Sequence, residues 1–273
     1  NTQRYRDALP VPQAATQGTR LDEAAEIRPP QSLAIGSGME PEYVERREVG
    51  DQTWLVVAAD TGTVWPQLEE FVRTRQLEVL QSSASQGVIV TPQAEIRLQS
   101  ALRAGSSEVR CERGGQTMAS CLDALESHLS ARSASASVSS SWTAQRLTDE
   151  QTLQIRQQGD EWEVVIPQPV DRVWAELNHY LELDFAQEGQ RDLLAADPAS
   201  HEFMVEYMTE TERNRNPLQI VFSPDVRKMS QQIRLALQPN GDQTILRAIN
   251  ASERAFSADD QRELLERVSG YLR

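Results

Sequence analysis

The sequence predicts an α+β chain built from two like domains, and three observations predict it. The first is a duplicated signature. Residues 50–72 read G-D-Q-T-W-L-V-V-A-A-D-T-G-T-V-W-P-Q-L-E-E-F-V, and residues 159–181 read G-D-E-W-E-V-V-I-P-Q-P-V-D-R-V-W-A-E-L-N-H-Y-L. Each copy runs Gly-Asp, a Trp-containing strand with paired valines, a turn, and a helix opening on Val-Trp. Val64, Trp65, Leu68, Phe71 and Val72 recur in register as Val173, Trp174, Leu177, Tyr180 and Leu181. The second observation is two-residue alternation downstream of each helix, the mark of a strand with one buried face. The third is a Ser/Ala-rich stretch between the copies, which reads as a linker. The 273 residues accommodate two domains of roughly 100 residues each.

The first domain spans 42–131. Residues 43–49 and 52–58 flank Gly50-Asp51 as a hairpin. A helix is expected over 63–75, with Pro66 in its first turn and Glu69, Glu70, Arg73 and Arg75 left to solvent. Strands follow at 77–82, 87–91, 95–104 and 108–112; in the third, Ile96, Leu98, Ser100 and Leu102 share one face. A helix over 117–130 carries Met118, Leu122, Leu125 and Leu129 on one side.

Residues 132–149 form the linker, in which Trp142 either docks on the second domain or stands exposed as an anchor. The second domain, 150–273, repeats the plan. A strand at 161–166 leads into a helix at 169–182, opened by Pro169, and a strand at 182–187. An irregular insertion at 188–200 precedes strands at 202–208, 218–222 and 229–238, the last with Met229, Gln231, Ile233, Leu235 and Leu237 alternating. Asn240-Gly241 turns it into 243–249. Ser257 and Asp260 have capping-box spacing, and the helix after them buries Leu264, Leu265, Val268, Tyr271 and Leu272. An antiparallel sheet with two helices on one face is a helix-grip arrangement, here in tandem.

Ahead of both lies a tail, residues 1–41. Up to residue 38 it has four prolines, four basic and four acidic residues, and no sustained period. Its apolar points (Tyr5, Leu9, Val11, Ile27, Leu33, Ile35) are spaced by polar residues, so it cannot form a core alone and is expected to be extended. It reads either as a solvated leader or as a segment lying along a partner.

Composition narrows function. Asp and Glu number 41 against 27 Lys and Arg, a net charge of −14, and Lys228 is the single lysine. A nucleic-acid surface needs a basic footprint, and so does attachment to anionic lipid. No apolar run reaches membrane-helix length. The chain opens at Asn1 with no signal-peptide pattern, as expected of a processed mature protein or a recombinant fragment. His128, His179 and His201 are scattered and no CxxC occurs, so no metal or cofactor is expected. Cys111 and Cys121 are either two half-buried thiols or a disulfide closing a short loop between the last strand and last helix of the first domain.

No catalytic constellation is expected. Phosphate-loop, nucleophile-elbow and zinc-protease patterns are missing, and Gly36-Ser37-Gly38 precedes no helix. Asp171 with Glu176, and Glu69 with Glu70, read as solvated helix faces. Trp65 and Trp174 read as core, with a ligand cavity between helix and sheet as the alternative.

The segment Ile27-Arg28-Pro29-Pro30-Gln31-Ser32-Leu33-Ala34-Ile35-Gly36-Ser37-Gly38, with Gly62-Thr63-Val64-Trp65-Pro66-Gln67 after it, resembles the BamC lipoproteins. These are accessory subunits of the outer-membrane β-barrel assembly machinery (BAM). The resemblance implies a non-enzymatic subunit on the periplasmic face of the outer membrane. It also implies a lipid anchor on an N-terminal Cys that lies outside this chain. By the same resemblance the tail would bind the BamD subunit through Tyr5, Leu9, Pro10, Ile27, Arg28, Pro29, Pro30, Leu33 and Ile35. The tail and the loop at 91–95 are shorter than in the family, and the cysteine pair is atypical of it. An oxidising periplasm favours the Cys111–Cys121 disulfide.

Overall fold

The structure is a computed structural model that describes residues 42–132, 140–147, 152–214 and 230–273. The tail with all its partner-binding candidates, Met229 and the strand expected at 218–222 lie outside the described residues. The class is α+β: the described residues form two antiparallel seven-stranded sheets and several helices. Both sheets belong to one compact unit.

The first half begins with β1 (Val44–Val49) and β2 (Gln52–Val57), a hairpin closed by Val49 opposite Gln52. Gly50 supplies the left-handed turn at φ 59°. Helix α1 (Thr61–Thr74) starts two residues earlier than expected because the Asp60 side chain caps it, accepting from the Thr63 N–H at 2.8 Å. Pro66 therefore sits in the second turn. Strands β3 (Gln81–Ser83), β4 (Val88–Val90), β5 (Glu95–Ser100), β6 (Ser107–Arg113) and the short β7 (Gln116–Thr117) follow. Helix α2 (Ala119–Ser130) and the single turn α3 (Trp142–Gln145) complete this half. The strand order is β1-β2-β6-β5-β4-β3, with β7 beside β6.

The second half opens on β8 (Gln154–Gln158) and β9 (Glu161–Ile166), joined through Gly159-Asp160 as Gly50-Asp51 joins the first pair. Helix α4 (Val170–Asp184) overruns the strand expected at 182–187, leaving only β10 (Ala186–Gln187). The insertion expected at 188–200 is instead largely β11 (Arg191–Asp197). Next come β12 (Glu202–Tyr207), the turn α5 (Glu210–Arg213), and the hairpin of β13 (Gln231–Asn240) and β14 (Gln243–Asn250). Helix α6 (Ala258–Ser269) carries the expected Ser257–Asp260 capping box and ends in a 3-10 turn, Gly270–Leu272. The order β8-β9-β14-β13-β12-β11, extended by β10, repeats the first sheet strand for strand.

Burial follows the periodicities. Leu55, Val57, Val64, Trp65, Leu68, Ile96, Leu98, Leu122 and Leu125 form one core between the first sheet and α1/α2. The second core gathers Val173, Trp174, Leu177, Leu181, Phe203, Leu235, Leu246 and Leu264, and it also takes in Val49, Trp54 and Val56. Those three point away from α1 and α2, so the first sheet is covered on both faces and α4 lies between the sheets. The run Trp54-Leu55-Val56-Val57 is buried throughout for this reason. Each such large side chain contributes about 1.5–3 kcal/mol of burial.

Candidate functional site

The densest polar chemistry lies where α4 meets the outer face of β1 and β2. Arg47 is 2 % exposed, a burial an arginine sustains only when paired. Its Nε donates to Glu176 Oε2 at 2.7 Å and its Nη2 to Glu45 Oε2 at 2.7 Å. Burial works against the Arg47 charge, but Glu176 and Glu45 outweigh it and its pKa lies above the usual value. Burial likewise tends to raise the Glu45 pKa, while His179 and Arg47 pull it down to about 2. His179 Nε2 stands 3.4 Å from Glu45 Oε2, within ion-pairing reach but without hydrogen-bond alignment. The Tyr180 hydroxyl accepts from Arg103 of the first half, and the Arg47 and Arg103 guanidinium groups lie 5.7 and 5.2 Å from its ring centroid. Burial and the nearby Glu176 charge push the Tyr180 pKa up.

A second bridge runs beside the first. Arg172 of α4 donates through Nε to Glu108 Oε1 at 3.0 Å and through Nη2 to the Ser100 carbonyl at 2.9 Å. These contacts border a cleft of about 270 Å³ whose walls include Gln99, Leu102, Leu153, Ile166 and Arg172. Neither Trp65 nor Trp174 lines this cleft. Trp65 is fully packed, and Trp174 stacks on Phe203 at 5.3 Å with no partner for its Nε1 among the described residues.

Chemically this junction is a lock: each acid meets an arginine in directional geometry. Glu176, expected on a solvated face, is 3 % exposed because α4 packs against β1; its partner Arg47 lies 129 residues upstream, so no local pattern could announce it. Asp171 keeps an exposed position and meets His201 at 3.0 Å. Cys111, in β6, and Cys121, in α2, are joined in a disulfide with Cα atoms 6.1 Å apart. No group of three or more potential metal ligands occurs among the described residues. Trp142 does not dock on the second half; it is 84 % exposed.

The sequence reading missed Glu45, Arg47 and Arg103. One signal could have found Arg47. Counted from the paired Gly-Asp turns, Arg47 matches Arg156 and Trp54 matches Glu163, so Trp54 and Trp162 are not equivalent. Trp54 faces α4, whereas Trp162 faces its own helix, with the Arg262 guanidinium 5.0 Å from its ring.

No family model matches this chain, and no curated protein matches it. A solved structure, CalU16 from Micromonospora echinospora, aligns at 16% identity over 45% of this chain and 80% of its own, with a TM-score of 0.23. At that score and identity the likeness carries no weight for fold or function.

Proposed function

We propose that this chain is a non-enzymatic accessory subunit of the outer-membrane β-barrel assembly machinery. Two tandem helix-grip domains would stand behind an extended, partner-binding tail. The observation that carries the reading is the pair of motifs Ile27–Gly38 and Gly62–Gln67, which resemble the BamC lipoproteins in content and order. Tyr5, Leu9, Pro10 and the Ile27–Ile35 segment would lie along BamD, and a lipidated Cys upstream of Asn1 would anchor the chain at the periplasmic face. Three further features support it: the repeated strand order, a disulfide suited to an oxidising compartment, and carboxylates of the junction engaged by arginines. An extended tail gives up affinity to ordering but wraps a large surface.

Deleting residues 1–38 tests the reading. Co-purification with BamD should be lost while circular dichroism of the remaining body is unchanged; retained binding would sink it. A carrier of small ligands or lipid is the second reading; its cleft is the one at the junction, lined by polar as well as apolar side chains and of about 270 Å³, near the low end of small-molecule sites, not a cavity at Trp65 or Trp174. Native mass spectrometry against a lipid extract separates the two, since only a carrier retains a saturable ligand.

A further inference from the structure

Pro66 and Gly62 pose a joint problem for α1. Pro66 has no N–H, so the Gly62 carbonyl four residues earlier loses its helical partner. Gly62 is also a poor helix former at a buried position. Both costs are met by residues nearly eighty positions downstream. The Ser141 N–H donates to that Gly62 carbonyl at 2.8 Å, and the Thr61 hydroxyl donates to the Ala144 carbonyl at 2.7 Å. Ala144 is fully buried against the first core.

Space is reserved for this contact. A Cβ at Gly62 would stand 2.2 Å from Gln145 Oε1 and 3.0 Å from the Ser141 carbonyl oxygen. Gly87 is crowded in the same way: a Cβ there would meet the Leu98 carbonyl at 2.1 Å and Leu147 Cδ1 at 2.8 Å. Gly50, Gly105, Gly159 and Gly241, by contrast, sit at open turns with nothing within 4 Å. So both crowded glycines touch one short segment.

We propose that Gly62, Pro66 and Gly87 form a socket that holds Ser141–Leu147 as a strap on the first half. The connection between the halves is thereby pinned at a fixed point instead of acting as one long tether. This assigns a physical role to the Gly62–Pro66 part of a motif otherwise known here only by resemblance.

The test uses the full chain. The Ser141 amide should exchange with solvent about 100-fold or more slowly than an unstructured amide, and trypsin should spare the Arg146–Leu147 bond. Gly62→Val, which fills the socket, should speed that cleavage about tenfold or more while leaving the near-ultraviolet circular dichroism intact. Ala144→Glu should do the same from the strap side without adding a trypsin site. Unprotected exchange at Ser141, or equal cleavage in wild type and variants, overturns the proposal. If either variant fails to fold, Ser141 exchange in the wild-type protein still decides.

Discussion

The two halves place different residues at equivalent points of two like sheets, and the difference tells how each buried position is held. In the first half Arg47 stands opposite Trp54, and the Arg110 guanidinium lies 4.2 Å from the Trp54 ring. In the second half Arg156 stands opposite Glu163, and Arg247 pairs with the same Glu163 at 2.7 Å. The flanking arginines are shared; the centre is tryptophan in one and glutamate in the other. Tryptophan suits a face covered by α4, where a carboxylate in its place would need its own partner. In the second sheet Glu163 is buried too, at 1 % exposure, and Arg156 and Arg247 both hold its carboxylate. Each half also has its own fastening. The first has its disulfide; the second ties Asp184 to Arg191, Arg267 and Tyr271.

The sharpest way to break this comparison is to remove one charged partner of Arg47 and one of Glu163. Glu176→Ala leaves Arg47 buried without its main partner and should cost about 3–5 kcal/mol in urea unfolding. Arg156→Ala removes a half-exposed arginine and should cost less than about 1 kcal/mol. Equal losses would show that the two faces are not different environments. Next in size is the disulfide, which closes a loop of separation 10 and should contribute about 2–3 kcal/mol. Cys111→Ala with Cys121→Ala should lower the unfolding midpoint by that amount, and hydrogen exchange should speed up in α2 ahead of α6.

Acid titration separates the halves more finely. Glu45 titrates near 2 in the folded chain against 4.5 as its ordinary value. The unfolded state therefore binds more protons between these limits, so stability rises with pH there. The Glu45 contribution is full above about pH 4.5 and is lost as pH falls toward 2. Glu45→Gln should flatten the dependence of the urea midpoint on pH across that window; an unchanged slope would remove the junction as its source. A small effect is expected at α6 as well. Ser257→Ala breaks its capping box and should cost about 1 kcal/mol, whereas α2 starts at Met118 with no side-chain cap to lose.

Local signals made much of the fold readable. The offsets of Val64, Trp65 and Leu68 placed α1, alternation at Ile96 and Leu98 placed β5, and Ser257 with Asp260 placed α6. What escaped had no local signal. Strand β11 carries a register shift between Leu193 and Ala195, which destroys its alternation. Strand β8 is a mostly exposed edge of glutamines and one arginine around Ile155, with no apolar face to betray it. Of the junction, only the register of Arg47 and Trp54 was available in advance. Its pairing with Glu176 depends on how two distant sheets stack, and that is a tertiary fact.

The cover that α4 provides for the first sheet also has a schedule. Trp54 leaves the ribosome well before Tyr180, which follows roughly 125 residues later, an interval on the order of ten seconds at usual synthesis rates. Over roughly the last 50 of those residues, after Ser130, the first sheet has its own helices and both its cysteines, yet its outer face, with Val49, Trp54 and Val56, has nothing to lie against. The nascent chain thus passes through a stage with one finished core and one adhesive face. The protection of that stage falls to whatever escorts the chain until its second half arrives.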